Sequence, residues 1–80
     1  MEWNYAQYHY SAVPVEDRQQ GFVGLELYRS VQGAEKVRVA RVLYWDASGQ
    51  HFLETFNVDL PFNVIERLIA ETRSSTHQSK

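Results

Sequence analysis

The chain has no cysteine, only two prolines and four glycines in 80 residues, and no apolar run near the length of a membrane helix. Without cysteine there is no disulfide framework and no thiolate metal site. The three histidines, His9, His51 and His77, lie in separate segments with no zinc-ligand spacing. A membrane helix needs roughly 20 consecutive apolar residues, and residues 1–4 lack the basic start and apolar stretch of a signal peptide. These absences predict a cytoplasmic protein with no membrane association, cofactor or metal. Lysine is scarce, with two in the chain, and the formal net charge is -2, which argues against a strongly cationic nucleic-acid binder. Stability must come from packing, in a chain short enough to bury only about 60% of its unfolded surface.

Aromatic residues are plentiful by contrast: four Phe, five Tyr and two Trp. Residues 3–10, Trp-Asn-Tyr-Ala-Gln-Tyr-His-Tyr, have strand composition. Trp3 and Tyr5 share one parity and Tyr8 and Tyr10 the other, which fits a single strand with a bulge near Gln7 or, as the alternative, a short helical turn. Residues 11–21 hold Pro14, two acids, Arg18 and two glutamines, and read as a long connection. Residues 22–30 and 36–46 each alternate as strands about a turn at 31–35. Asp46-Ala47-Ser48-Gly49 is the strongest turn signal, followed by a fourth strand over 50–58.

The alternation also predicts registers. Pairing Trp45 with Gln50 sets Leu43 opposite Phe52, Arg41 opposite Glu54, Val39 opposite Phe56 and Val37 opposite Val58. In the preceding hairpin, Leu27 facing Val39 brings Leu25 beside Arg41 and Val23 beside Leu43. Pro61 suits a helix start, Asp59 or Asn63 can cap, and Phe62, Val64, Ile65, Leu68 and Ile69 fall on one side at 100° per residue. The fold expected is α+β: a four-stranded, mainly antiparallel sheet with one C-terminal helix on one face, its core holding Trp45, Phe52, Phe56 and Phe62. This single domain covers residues 1–73, and residues 74–80, with no apolar side chain, form a disordered tail.

No nucleophile, phosphate-loop or zinc motif is present, and the lone histidines and turn aspartates have ordinary structural explanations, so the sequence predicts a non-enzymatic protein. The informative feature is the second sheet face, where the expected registers set Phe22, Tyr28, Lys36, Arg38 and Tyr44 together as a binding face, with Tyr28 opposite Arg38 and Phe22 opposite Tyr44. The charge pattern agrees: residues 29–41 carry four positive charges and one negative inside an acidic chain. Three occupants compete for this face. It is covered by residues 3–21 of the same chain, it meets a protein (a second copy or a partner for which this chain is a regulatory subunit), or it binds single-stranded nucleic acid.

Residues 41–50, Arg-Val-Leu-Tyr-Trp-Asp-Ala-Ser-Gly-Gln, followed by Asn57-Val58-Asp59-Leu60-Pro61 and the helix, give a strand, an acidic glycine turn, a last strand and a proline-started helix. This order resembles the ββββα single-strand-binding modules of the whirly, PUR and transcriptional-coactivator group over residues 22–73. The resemblance implies a single-stranded DNA or RNA ligand on the sheet, with Lys36, Arg38, Tyr28 and Tyr44 facing it, and a dimer. The reading preferred from the residues is protein binding, with nucleic acid as the alternative.

Overall fold

The computed structural model describes residues 1–78, with side chains described through Ser74. Five strands precede one helix: β1 (Glu2–Tyr5), β2 (Tyr8–Asp17), β3 (Phe22–Val31), β4 (Val37–Trp45), β5 (Gln50–Thr55) and α1 (Phe62–Gln78). The strands form one antiparallel meander in the order β1-β2-β3-β4-β5. The α+β class is as expected, but the sheet has five strands rather than four.

The extra strand comes from residues 3–10. Where parity breaks there is a hairpin instead of a bulge: Ala6 takes a left-handed φ of 55°, and Tyr5 pairs with Tyr8. Folding back at the break brings Trp3, Tyr5, Tyr8 and Tyr10 onto one face, with Trp3 stacked on Tyr10 at 5.7 Å. Residues 11–17, expected as a connection, continue β2. Pro14 is tolerated there because β1 pairs only as far as Ser11, leaving the rest of β2 as an outer edge. The Ala12 N–H points outward, to the Met1 carbonyl. By alternation the missing N–H of Pro14 points outward too, so no ladder bond is lost.

Between β3 and β4 the expected register is correct at Tyr28↔Arg38 and shifted by one from Phe22↔Trp45 to Leu27↔Ala40. The cause is a bulge opposite Leu27 and Tyr28 that leaves Val39 as an extra residue in β4. Val39 and Ala40 are both fully buried. Beyond them the faces of β4 are exchanged relative to expectation: Val42 joins the core, while Arg41, Leu43 and Trp45 turn to the other side. The β4–β5 register is as the sequence predicts at Trp45↔Gln50, Leu43↔Phe52 and Arg41↔Glu54, but β5 ends at Thr55 rather than at residue 58: Asn57 takes a left-handed φ of 57°, and the expected Val37–Val58 pair does not form.

The core lies under α1 and joins Tyr10, Ala12, Leu25, Leu27, Val39, Ala40 and Val42 with Val64 and Leu68, flanked by Trp3, Tyr8, Val58, Leu60 and Ile69. Four aromatics expected in it are elsewhere. Trp45 and Phe56 are only half-buried, Phe52 is 50% exposed and Phe62 is 84% exposed. Phe62 begins the helix two residues before Val64, about 200° around the axis from it at 100° per residue. Thr72, one turn beyond Leu68, completes the buried stripe and donates its hydroxyl hydrogen to the Leu68 carbonyl at 2.8 Å. The Pro61 carbonyl accepts from the N–H groups of Val64 and Ile65, while the Asn63 amide donates to the Tyr5 hydroxyl at 3.3 Å and so ties the helix start to β1. Residues 74–78, read from sequence as the beginning of a tail, continue α1 in the backbone. The last two residues of that expected tail lie outside the described residues.

Candidate functional site: the open sheet face

The face opposite α1 can be built row by row from the strand registers. One row runs Asp17–Phe22–Trp45–Gln50 and the next Val15–Gly24–Leu43–Phe52. The third is Val13–Glu26–Arg41–Glu54, the fourth is Glu2–Ser11–Tyr28–Arg38, and beyond it lies Asn4–His9–Ser30. Neither β1 nor β2 folds over this surface. Both lie in the plane of the sheet and widen it, so the expectation that residues 3–21 cover the face is overturned.

Two apolar rows therefore lie beside polar ones. Phe22 and Trp45 form a tilted ring pair with centroids 5.0 Å apart. In the next row, a Cβ at Gly24 would overlap the carbonyl of Val42, so glycine lets β3 approach β4 closely. Leu43 is the cross-strand neighbour of Gly24 and is only 5% exposed although no helix covers it. Val13 and Phe52, at the two sides of the face, are 47% and 50% exposed.

The charges in the polar rows are satisfied internally. Glu26 accepts from the Tyr28 hydroxyl at 2.9 Å and from Arg38 Nη1 at 2.9 Å. Arg41 Nε donates to Glu54 Oε1 at 2.7 Å. The guanidinium of Arg38 lies 4.4 Å from the Phe56 ring centroid and that of Arg41 5.9 Å from it, so one ring serves both cations. The hydrogen bond that Tyr28 donates to Glu26 raises the phenol above its ordinary pKa, with burial and the Glu26 charge acting the same way and Arg38 opposing them.

Of the five residues predicted as a binding face, Phe22, Tyr28 and Arg38 are brought together here. Tyr44 is on the α1 side, opposite Val23 and His51, with its ring 4.9 Å from the His51 ring. Lys36 is exposed and precedes β4. The bulge at Val39 separates Tyr44 from Arg38: an alternation that was continuous in the sequence reading reverses there. Val13, Val15, Arg41, Leu43, Trp45 and Phe52 belong to the face and were missed. A signal was present in Arg41, a charge in what read as an apolar row, which marked a break of phase in β4.

His9 and His51 lie on opposite faces of the sheet and do not meet at one site. His9 Nδ1 lies 2.8 Å from Asn4 Oδ1 and its Nε2 lies 3.0 Å from Glu2 Oε1, a cross-strand cluster on the β1–β2 hairpin. His51 borders a shallow cleft of about 220 Å³ between β5 and α1 with Val42, Leu53, Ile69 and Arg73. The side chain of His77 lies outside the described residues. Among the described residues, no three His, Asp or Glu side chains are grouped to hold a metal, and no helix is long and apolar enough to cross a membrane. Comparison with known proteins gives no matching family model, no matching curated protein and no matching solved structure.

Proposed function

We propose that this chain is a non-enzymatic protein-binding module whose working surface is the sheet face opposite α1, and that its partner is a second copy or a larger assembly in which it is a regulatory subunit. The observation that carries this reading is the pair of apolar rows, Phe22–Trp45 and Val15–Leu43–Phe52, over which none of the described elements is laid; Leu43 is buried among its neighbours, Val15, Phe22 and Trp45 are half-buried and Phe52 is exposed. Exposed apolar surface bordered by polar groups marks contacts between proteins.

The alternative, single-stranded nucleic acid, needs cations free to meet phosphates beside rings free to stack. On this face both arginines are already held by carboxylates and the ring of Phe56 lies beneath them. Glu26 and Glu54 offset those two cations and Asp17 adds one further negative charge, so the face has no net positive charge to draw a phosphate backbone. The arrangement supports the protein reading.

The test is site-specific photo-crosslinking in the cell of origin, with a benzoyl-phenylalanine at Val13 on the face and, separately, at the exposed Ala70 on α1. Protein adducts are expected from Val13 and not from Ala70; equal yields, or adducts from Ala70 alone, contradict the proposal. Mixed single-stranded oligonucleotides at low salt are expected not to bind. Binding that falls steeply with salt and is lost in Arg38→Gln would transfer the face to nucleic acid.

A further inference from the structure

The two sides of the sheet end differently. On the β1–β2 side, β1 has four residues, and the exposed stretch of β2 beyond it carries Pro14, Glu16 and Asp17. Short strands, proline and charge are the usual means by which proteins block unwanted strand pairing. On the other side β5, Gln-His-Phe-Leu-Glu-Thr, is longer than β1 and has neither a proline nor an unpaired charge. It contains no proline or lysine, its pairing with β4 runs without a bulge, all six residues are exposed, and its one charge, Glu54, is already paired with Arg41.

The direction of the free backbone groups on β5 follows from two hydrogen bonds. Phe56 N–H donates to the Val39 carbonyl at 3.0 Å, continuing the register Arg41↔Glu54, and Asp46 N–H donates to Gly21 at 2.9 Å on the other side of β4. Odd residues of β4 therefore bond to even residues of β5. By alternation, the N–H and C=O groups of His51, Leu53 and Thr55 point away from the sheet and have no strand partner there.

We infer that this edge pairs with β5 of a second copy, antiparallel about a two-fold axis through Phe52, to make one continuous sheet. A two-fold axis perpendicular to the sheet keeps each residue on its own face, so only registers that pair even with even and odd with odd are allowed. Centring on Phe52 lets His51 and Leu53 of each copy exchange both backbone bonds with Leu53 and His51 of the other. Phe52 then meets its own copy at a non-hydrogen-bonded position, where side chains are closest. Gln50 stands opposite Glu54 and donates to a carboxylate whose other neighbour is Arg41. Centring on Leu53 instead sets Phe52 against Glu54, a mismatch. The favoured register also covers Phe52 and the 46% exposed Leu53, the large apolar side chains of this edge.

The inference adds a contact that the face reading does not require, and it is tested on the whole chain. Sedimentation velocity from micromolar to millimolar is expected to show a monomer–dimer equilibrium. Leu53→Pro removes an N–H that points away from β4, so the fold survives while the dimer dissociation constant rises roughly 10- to 100-fold. Because the chain contains no cysteine, single cysteines report the register without background. Under mild oxidation Phe52→Cys is expected to form a covalent dimer, and Glu54→Cys and Leu53→Cys are not. A wild-type chain that stays monomeric to millimolar concentration overturns the inference, as does a dimer that Leu53→Pro leaves intact. Cross-linking through Leu53→Cys in preference to Phe52→Cys overturns the register.

Discussion

Gly24 has no side chain because the Val42 carbonyl occupies the place where one would go. The obstruction is backbone in the middle of a ladder, so rotamer changes cannot relieve it. Gly24→Ala is expected to destabilise the chain by about 1–3 kcal/mol or more, read as a lower midpoint in chemical denaturation; an unchanged midpoint would show that β3 and β4 are further apart than described. Tyr28 adds a pH dependence. Its folded-state pKa is raised by the bond to Glu26, so folding favours the protonated phenol. The associated stability is complete below the unfolded value of about 10 and is lost as pH rises through the folded value. The stability difference between wild type and Tyr28→Phe should therefore shrink at alkaline pH, and a difference titration at 295 nm should assign to Tyr28 a phenol ionising above the ordinary range. Neither role was legible in the sequence. A glycine inside an alternating run reads only as a gap, and the partner of Tyr28 on its own strand, Glu26, gains its meaning from Arg38 across the ladder.

At the scale of elements, legibility followed how local the determining signal was. The turn at 46–49 and the register of β4 with β5 were legible because an acidic glycine turn fixes a hairpin within a few residues. The β1–β2 hairpin was not, although its parity break was visible. A bulge and a hairpin explain the same break, and only the tertiary gain of packing Trp3, Tyr8 and Tyr10 into the core selects the hairpin. The bulge in β4 is a similar case. The helix was placed by its period, but its first residue was assigned to the wrong side, since Phe62 precedes the buried stripe of Val64, Leu68 and Thr72. This yields a paired prediction. Leu68→Ala should cost about 2–5 kcal/mol, while Phe62→Ser should change stability by no more than about 0.5 kcal/mol. Thermal or urea unfolding of the two variants checks it, and equal losses would place Phe62 in the core.

For the whole molecule, the aromatic surplus divides between two surfaces with different uses. Trp3, Tyr8 and Tyr10 are committed to the core, with Arg67 over Trp3 at 5.0 Å, whereas Phe22, Trp45 and Phe52 remain on the open face. The division depends on a single residue, Val39, whose insertion reverses β4. If β4 continued the alternation from Arg38 with no bulge, Trp45 and Leu43 would lie under the helix and Tyr44 and Val42 would form the open surface. The proposal that this face binds protein rests on that reversal. The direct test is a nuclear Overhauser map of the two indoles. The account predicts contacts of the Trp3 indole with Tyr10 and Arg67 and of the Trp45 indole with Phe22, with none from Trp45 to α1. Contacts from the Trp45 indole to Val64 or Leu68 would contradict it.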